Sequence, residues 1–235
     1  MLKVIFPDRC EGCDSLLEES CFCKGCESKI EFIEKNTTCT KCGDIFNTYK
    51  GNSSDNYLCV RCIRQEYLFS KCRSVAKHSG FIKELLHKFK YRKKIILGKL
   101  LSRVIVDHFP KDFDYFDTII PVPLDEKKIR DREYNQSSIF AKNIAKEFGK
   151  IYDPFSLLRK VKEKMPQYEV KNLRQRKENV KGAFEVTKKN RIKNSSVLLI
   201  DDVFTTGSTV NECTKALLSS GVSKVQVITL TRVGV

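Results

Sequence analysis

Between residues 196 and 222 the chain reads Ser196-VLLIDDVFTTGSTVNECTKALLSSG-Val222, and its hydrophobic period changes on the way. Val197, Leu198, Leu199 and Ile200 are consecutive apolar residues, the pattern of a strand covered on both faces. Val210, Cys213 and Leu217 then recur at i, i+3 and i+7, one face of a helix, and Gly221 is a fitting stop. Val225-QVIT-Leu230 reads as another buried strand. Strand, loop, helix and strand in this order predict a parallel, right-handed crossover unit in an α/β sheet.

The chemistry of this stretch lies where the first strand ends, which is where α/β sheets bind ligands. Thr205, Thr206, Gly207, Ser208 and Thr209 form a hydroxyl-rich bend opening a helix. Gly207 permits close backbone approach, and the helix N-terminus supplies free N–H groups and a favourable dipole for a phosphate. Asp201 and Asp202 stand just before the bend. Carboxylates repel phosphate, so they should face sugar hydroxyls or a hydrated Mg2+. The stretch is neither G-x-x-x-x-G-K-[ST] nor G-x-G-x-x-G, which disfavours a nucleoside triphosphatase or a dinucleotide enzyme.

The N-terminal part has another character. Ten of the 11 cysteines lie in the first 72 of 235 residues. They include four C-x-x-C pairs: Cys10/Cys13, Cys23/Cys26, Cys39/Cys42 and Cys59/Cys62. Two such knuckles complete a tetrahedral four-thiolate zinc site. The 16 residues between Cys42 and Cys59 match a zinc-ribbon spacing, and Gly43 lets the knuckle turn back. The first two pairs are only 9 residues apart, and Cys21 is an alternative ligand to Cys23. Cys72 and Cys213 read as small buried hydrophobes. Spacing leaves open whether the sites interleave, and one or two structural Zn2+ ions are expected. Without a signal peptide, a reducing cytosol is expected, which argues against a disulfide framework. Redox chemistry through one pair is disfavoured by the presence of four copies.

Composition and charge divide the chain at the same place. Hydrophobic residues make up 41% and charged residues 31%, enough for a packed core. No run approaches the length of a transmembrane helix. Residues 1–70 hold 9 basic and 11 acidic residues, net −2; residues 71–235 hold 35 and 18, net +17. Such a field attracts nucleic acid, anionic lipid or phosphorylated small molecules, although a solvated surface looks the same. Two domains are expected: a Cys-rich zinc-binding domain, 1–70, and an α/β domain, 71–235.

The apolar run followed by D-D-x-x-T-T-G-x-T resembles the phosphoribosyl-pyrophosphate (PRPP) loop of type I phosphoribosyltransferases. The resemblance implies a mostly parallel sheet flanked by helices. It also implies that Asp201 and Asp202 hold the ribose hydroxyls, and that the segment running through Val203 and Phe204 to Thr205, Thr206, Gly207, Ser208 and Thr209 holds PRPP by its 5′-phosphate. Thr118-IIPVPL-Asp125, Arg130-DREYNQ-Ser137 and Lys171-NLRQRKENVKGA-Phe184 (preceded by Gln167) follow the cysteine pairs in the order of the ComF family of competence-associated proteins, in its zinc-bearing ComFC type. The likeness covers nearly the whole chain. By family analogy Pro121, Val122 and Pro123 lie at the pyrophosphate and Mg2+ region, together with Arg132. The family usually shows R-G-F-N-Q where this chain has Arg132-Glu133-Tyr134-Asn135-Gln136, so the local turn is expected to differ.

Residues 80–108 read as one helix, with Ile82, Leu85, Leu86 and Phe89 apolar and Lys83 among the charges around them. Lys88, Phe89, Lys90, Tyr91, Arg92, Lys93 and Lys94 interleave cations with aromatics, a pattern that holds single-stranded DNA; equally, Phe89 belongs to the core. Residues 159–193 carry a second basic run with Tyr168, read as a hood over the pocket, a strand-binding surface, or both. His78, His87 and His108 show no ligand or triad spacing. Two function classes remain. The ComF resemblance implies handling of incoming single-stranded DNA on the cytosolic side of the inner membrane during natural transformation. The alternative is an active, Mg2+-dependent phosphoribosyltransferase acting on an unidentified nitrogen acceptor, with Arg130, Arg132 or Arg176 neutralising charge; no general base stands out. A weaker third class is a metal-dependent scaffold docking inner-membrane DNA-uptake proteins. A cytoplasmic location is expected, with peripheral attachment to anionic lipid left open.

Overall fold

The computed structural model describes residues 9–17, 22–34, 38–46, 57–92, 94–152, 158–161 and 181–234. Cys21, Lys93, Gln167, Tyr168, Arg176 and most of the second basic run lie outside the described residues. Two short helices, α1 (Lys24–Glu27) and α2 (Val60–Ile63), belong to the cysteine-rich part. They are followed by β1 (Lys71–Lys77), α3 (Gly80–Tyr91), α4 (Ile95–Asp107), β2 (Thr118–Pro121), α5 (Glu126–Arg132), α6 (Gln136–Phe148) and β3 (Ile151–Tyr152). The chain continues through β4 (Leu158–Lys160), β5 (Phe184–Val186), a 3₁₀ turn (Lys189–Arg191), β6 (Ser196–Phe204), α7 (Ser208–Leu218) and β7 (Lys224–Arg232). Strands β1-β7-β6-β2-β3 form one sheet, parallel at every pairing, and β4 pairs antiparallel with β5. Among the described residues no helix is long and apolar enough to cross a membrane.

The apolar run of β6 is explained by two cores. Val197 and Leu199 face one hydrophobic cluster, with Val210, Cys213 and Leu217 of α7 and Leu158, Phe184 and Val186 of the β4–β5 pair. Leu198 and Ile200 face the other, with α3, α4 and α6. All four side chains are fully buried, and each stabilises the fold by about 1.5–3 kcal/mol. The cysteine-rich part is divided in the same way. Cys10 and Cys26 belong to the second cluster, whereas Cys39, Cys42, Cys59 and Cys62 belong to the first, so each ribbon packs on its own face of the sheet.

The single helix expected over 80–108 is two helices, broken between Tyr91 and Ile95. Extending the stripe Ile82, Leu85, Leu86 and Phe89 by three and four residues places Arg92 and Lys93 on the core side. Lys88/Arg92 and Lys90/Lys94 would also repel each other at i,i+4. The break restores an apolar face at Leu97, Leu101, Val104 and Ile105.

Candidate functional site

Strand β6 outlasts its apolar run and carries Asp201 and Asp202 to the C-terminal edge of the sheet, between the ends of β2 and β7. Asp201 Oδ1 accepts hydrogen bonds from Ser137 Oγ at 3.1 Å and from the Asp202 amide at 2.9 Å. Burial, and then the Asp202 charge beside it, push its pKa up to about 7. Lys90 Nζ reaches in from α3 to within 2.6 Å of Asp202 Oδ2, in a pair whose side chains are 18% and 15% exposed. Two oxygen acceptors and one ammonium thus meet at the head of the strand.

Beyond Phe204 the chain turns through Thr205, Thr206 and Gly207 into α7. Gly207 has φ +74°, and a Cβ there would lie 2.6 Å from Phe204 Cζ and 2.8 Å from Tyr67 Cε1. Glycine is required both by conformation and by space. Thr206 Oγ1 and Ser208 Oγ are 2.8 Å apart, and the Ser208 amide donates to Thr206 Oγ1 at 3.3 Å. The first turn of α7 leaves backbone N–H groups without intrahelical acceptors, beside the positive end of the helix dipole. A phosphate fits that chemistry. Phe204 does not line the bend: its side chain is buried beneath it, with Arg232 4.2 Å above the ring.

At the neighbouring strand end, the Val122 amide donates to the Ile200 carbonyl at 2.9 Å, continuing the β2–β6 ladder past Pro121, with Pro123 next. Asn135 caps α6 and donates from Nδ2 to the Val122 carbonyl at 2.9 Å. Arg132 donates to Gln136 Oε1 at 3.1 Å and to the Tyr91 hydroxyl at 3.3 Å. Gln136 is 1% exposed, and its Nε2 has no hydrogen-bond partner among the described residues. At the position where glycine is usual in the family, Glu133 takes the left-handed conformation, φ +66°, that glycine favours.

The cysteines form two separate tetrads that do not interleave: Cys10, Cys13, Cys23 and Cys26, then Cys39, Cys42, Cys59 and Cys62. Within each, the sulfur atoms lie within 4.8 Å of one another. A tetrahedral zinc with Zn–S near 2.3 Å places its sulfurs about 3.8 Å apart, so the donor sets fit. Cys23 fills the position for which Cys21 was the alternative. Gly43, at φ +71°, brings the second knuckle against β1, where a Cβ would lie 2.9 Å from the Cys72 carbonyl oxygen. Two buried arginines serve this knuckle. Arg232 donates to the Cys42 carbonyl at 2.9 Å and to Asp44 at 3.1 Å, and Arg73 donates to the Thr40 carbonyl and Asp112 at 2.8 and 2.6 Å. Each guanidinium is also ion-paired, Arg232 with Asp44 and Arg73 with Asp112. Cys72 and Cys213 are fully buried, and burial pushes both thiols up, Cys72 to about 12, which leaves them inert.

Residues 1–63 match the double zinc ribbon domain family and residues 135–234 match the phosphoribosyl transferase domain family. The chain is 27% identical over 235 residues to competence protein F of Haemophilus influenzae, covering 97% of this chain and 98% of that protein. It is 27% identical to competence protein ComFC of Bacillus subtilis, covering 85% of this chain and 78% of that one. The chain is a ComF homologue. It is also 28% identical to the DNA utilization protein YhgH of Salmonella typhimurium, over 74% of this chain and 77% of that protein.

In this ComF homologue the basic stretch on α3 is corrected in two places. Phe89 is fully buried, stacked on Tyr134 with ring centroids 5.3 Å apart, so it has no face for a base. Lys90 turns inward to Asp202 rather than out to a strand. Tyr91 is 60% exposed, with the Arg132 guanidinium 5.1 Å from its ring centre and the His87 ring at 4.8 Å. Arg92 and Lys94 are exposed and Lys88 is half-buried, while Lys93 lies outside the described residues. Of the histidines, His78 Nδ1 is 2.9 Å from Thr231 Oγ1 and His108 stacks on Phe32. Sequence reasoning missed Tyr67, which reaches the bend, Ser137, which reaches Asp201, and Asn211, whose side chain ties α7 to Glu66 and Leu68; these contacts arise through tertiary packing. No local signal marked Tyr67: Tyr67-Leu68-Phe69 is a continuous apolar run, and only the structure shows Tyr67 and Phe69 buried with Leu68 exposed.

Proposed function

We propose that this protein binds PRPP at the head of β6 and single-stranded DNA on the basic face around Tyr91, and that it handles incoming DNA on the cytosolic side of the inner membrane during natural transformation. The observation that carries the reading is the pair Asp201–Asp202, set beside a glycine-dependent, hydroxyl-rich helix start. Carboxylates suited to ribose hydroxyls and backbone amides suited to a 5′-phosphate lie at the same end of one strand. Relatives named as competence and DNA utilization proteins support the cellular role, and the net charge of +15 supports a polyanionic partner. Asp201 and Asp202 are hard oxygen donors of the kind Mg2+ takes, so they suit a metal that accompanies the diphosphate of PRPP. The ion would supply charge neutralisation on the diphosphate. The chain's own part is to orient the ribose through the carboxylates, with Lys90 limiting their repulsion.

Titration calorimetry of PRPP with Mg2+, on the native chain and on Asp201→Ala/Asp202→Ala, tests the sugar-phosphate half. Heat of binding in the native chain and its loss in the variant are expected; no binding by the native chain overturns this half. Anisotropy of a labelled single strand across a salt series tests the DNA half, where affinity must fall steeply with salt. Pyrophosphate release in the presence of a panel of bases separates binding from turnover.

A further inference from the structure

The short segment between Cys62 and β1 touches more of the phosphate-binding bend than any segment of the first ribbon does among the described residues. Tyr67, 5% exposed, donates its hydroxyl proton to the Thr206 carbonyl at 3.0 Å, and its ring occupies the space a Cβ on Gly207 would need. Tyr67 is itself held from both knuckles of the second tetrad. Arg61, on α2 between Cys59 and Cys62, donates to the Tyr67 hydroxyl at 3.3 Å; Lys41, between Cys39 and Cys42, donates to the Tyr67 carbonyl at 2.9 Å. On the other side, Asn211 in the first turns of α7 accepts from the Leu68 amide at 2.7 Å and donates to the Glu66 carbonyl at 3.1 Å. Arg232 adds a third link, with one nitrogen on the Cys42 carbonyl and its guanidinium over Phe204, the residue that leads into the bend.

The first tetrad has different neighbours. Gly12 lies against Phe81, Phe22 meets Phe81 edge-on at 5.7 Å, and Glu11 pairs with Lys94 at 3.0 Å. That ribbon docks on α3 and the start of α4.

We infer that Tyr67 and Asn211 are positioning residues for the 205–209 bend, and that through them the second cysteine tetrad, and not the first, governs how tightly the 5′-phosphate is held. The inference rests on the sugar-phosphate reading above. A phosphate cradle made of backbone amides binds only as well as those amides are held in place, because any freedom lost on binding weakens affinity. The brace restricts the peptide at Thr206 from one side and the first turns of α7 from the other. The brace is in turn anchored by a turn that four thiolates and one metal ion cross-link.

The test uses the full chain with ribose 5-phosphate, which carries the phosphate but no diphosphate, in three variants: Tyr67→Phe, Cys62→Ser and Cys13→Ser. Affinity is read by calorimetry, metal by zinc release, and order in the bend by amide hydrogen exchange at 205–209. Tyr67→Phe keeps the ring and removes one hydrogen bond. It should weaken ribose 5-phosphate about 3- to 10-fold and speed exchange at 205–209, while zinc content is unchanged. Cys62→Ser and Cys13→Ser should each lower bound zinc by one equivalent. Cys62→Ser should weaken the ligand by more than about 10-fold and Cys13→Ser by less than about 2-fold, the asymmetry following from which ribbon anchors the brace. Equal losses in the two cysteine variants overturn the inference, as does native affinity and exchange in Tyr67→Phe. If Cys62→Ser does not fold, Tyr67→Phe decides alone. If the native chain binds neither ribose 5-phosphate nor PRPP, the sugar-phosphate reading fails, and exchange at 205–209 still reports whether the brace exists.

Discussion

Gly207→Ala separates backbone strain from crowding, because the structure supplies its own control. At Gly207 the added methyl meets two obstacles. The φ of +74° is unfavourable for an L side chain, at about 1–2 kcal/mol. The Cβ would also sit 2.6 Å from Phe204 and 2.8 Å from Tyr67. Both rings are buried, and Tyr67, Phe69 and Phe204 pack on one another with centroids 4.9 to 6.4 Å apart. Displacing them adds the cost of overpacking, about 1–3 kcal/mol. Gly149 also has positive φ, +60°, but nothing lies within 4 Å of its Cβ position. Gly149→Ala therefore carries the conformational part alone, about 1–2 kcal/mol, whereas Gly207→Ala should lose about 2–5 kcal/mol. Chemical denaturation of both variants measures the difference, and calorimetry with PRPP measures what reaches the ligand. Binding should collapse in Gly207→Ala and persist in Gly149→Ala. If the two variants lose equal stability, or if Gly207→Ala binds PRPP as the native chain does, the account of a glycine-dependent bend is wrong.

Asp201 is held neutral up to about pH 7 by burial and by Asp202. Its folded pKa lies above the unfolded value, so its ionisation destabilises the protein progressively as pH rises from about 4 to about 7. Asp201→Asn should therefore gain melting temperature relative to the native chain at pH 8 and not at pH 4, while PRPP binding is lost; a gain independent of pH refutes this. Phe89→Ala should lose about 3–5 kcal/mol of stability as a buried aromatic. Tyr91→Ala should leave melting unchanged and weaken single-stranded DNA by about 1–3 kcal/mol if the exposed ring stacks a base; unchanged DNA affinity removes Tyr91 from the interface. Elemental analysis should find two zinc ions per chain, and a strong chelator should lower the melting temperature.

Much was legible because it is local. The strand, bend and helix at 196–222 are written in the switch from a continuous apolar run to a helical period, and β6 and α7 form there. The thiol pairs announced one or two metal ions because three-residue spacing is a property of the knuckle itself, while the pairing into two separate tetrads came from the structure. What was not legible depended on distant parts of the chain. The like-charged run at 88–94 concealed a helix break that becomes clear once Phe89 must face a core. Lys90 and Tyr91 are neighbours in sequence, yet one points to Asp202 and the other to solvent. No local pattern specifies the partner of a long side chain.

The order of amino acids alone determined that this protein carries a parallel α/β unit with a hydroxyl-rich helix start behind two acids, and eight thiolates in four knuckles able to hold one or two ions. These features follow from periodicity and ligand chemistry over a few residues. Only the tertiary structure decided that the two ribbons lie on opposite faces of one sheet, that the tail of the second reaches the bend through Tyr67 and Asn211, and that Asp201 is buried enough to hold its proton. Packing brings together groups more than a hundred residues apart, and both the desolvation of a carboxylate and the bracing of a loop come from those neighbours rather than from the residues beside them in the chain.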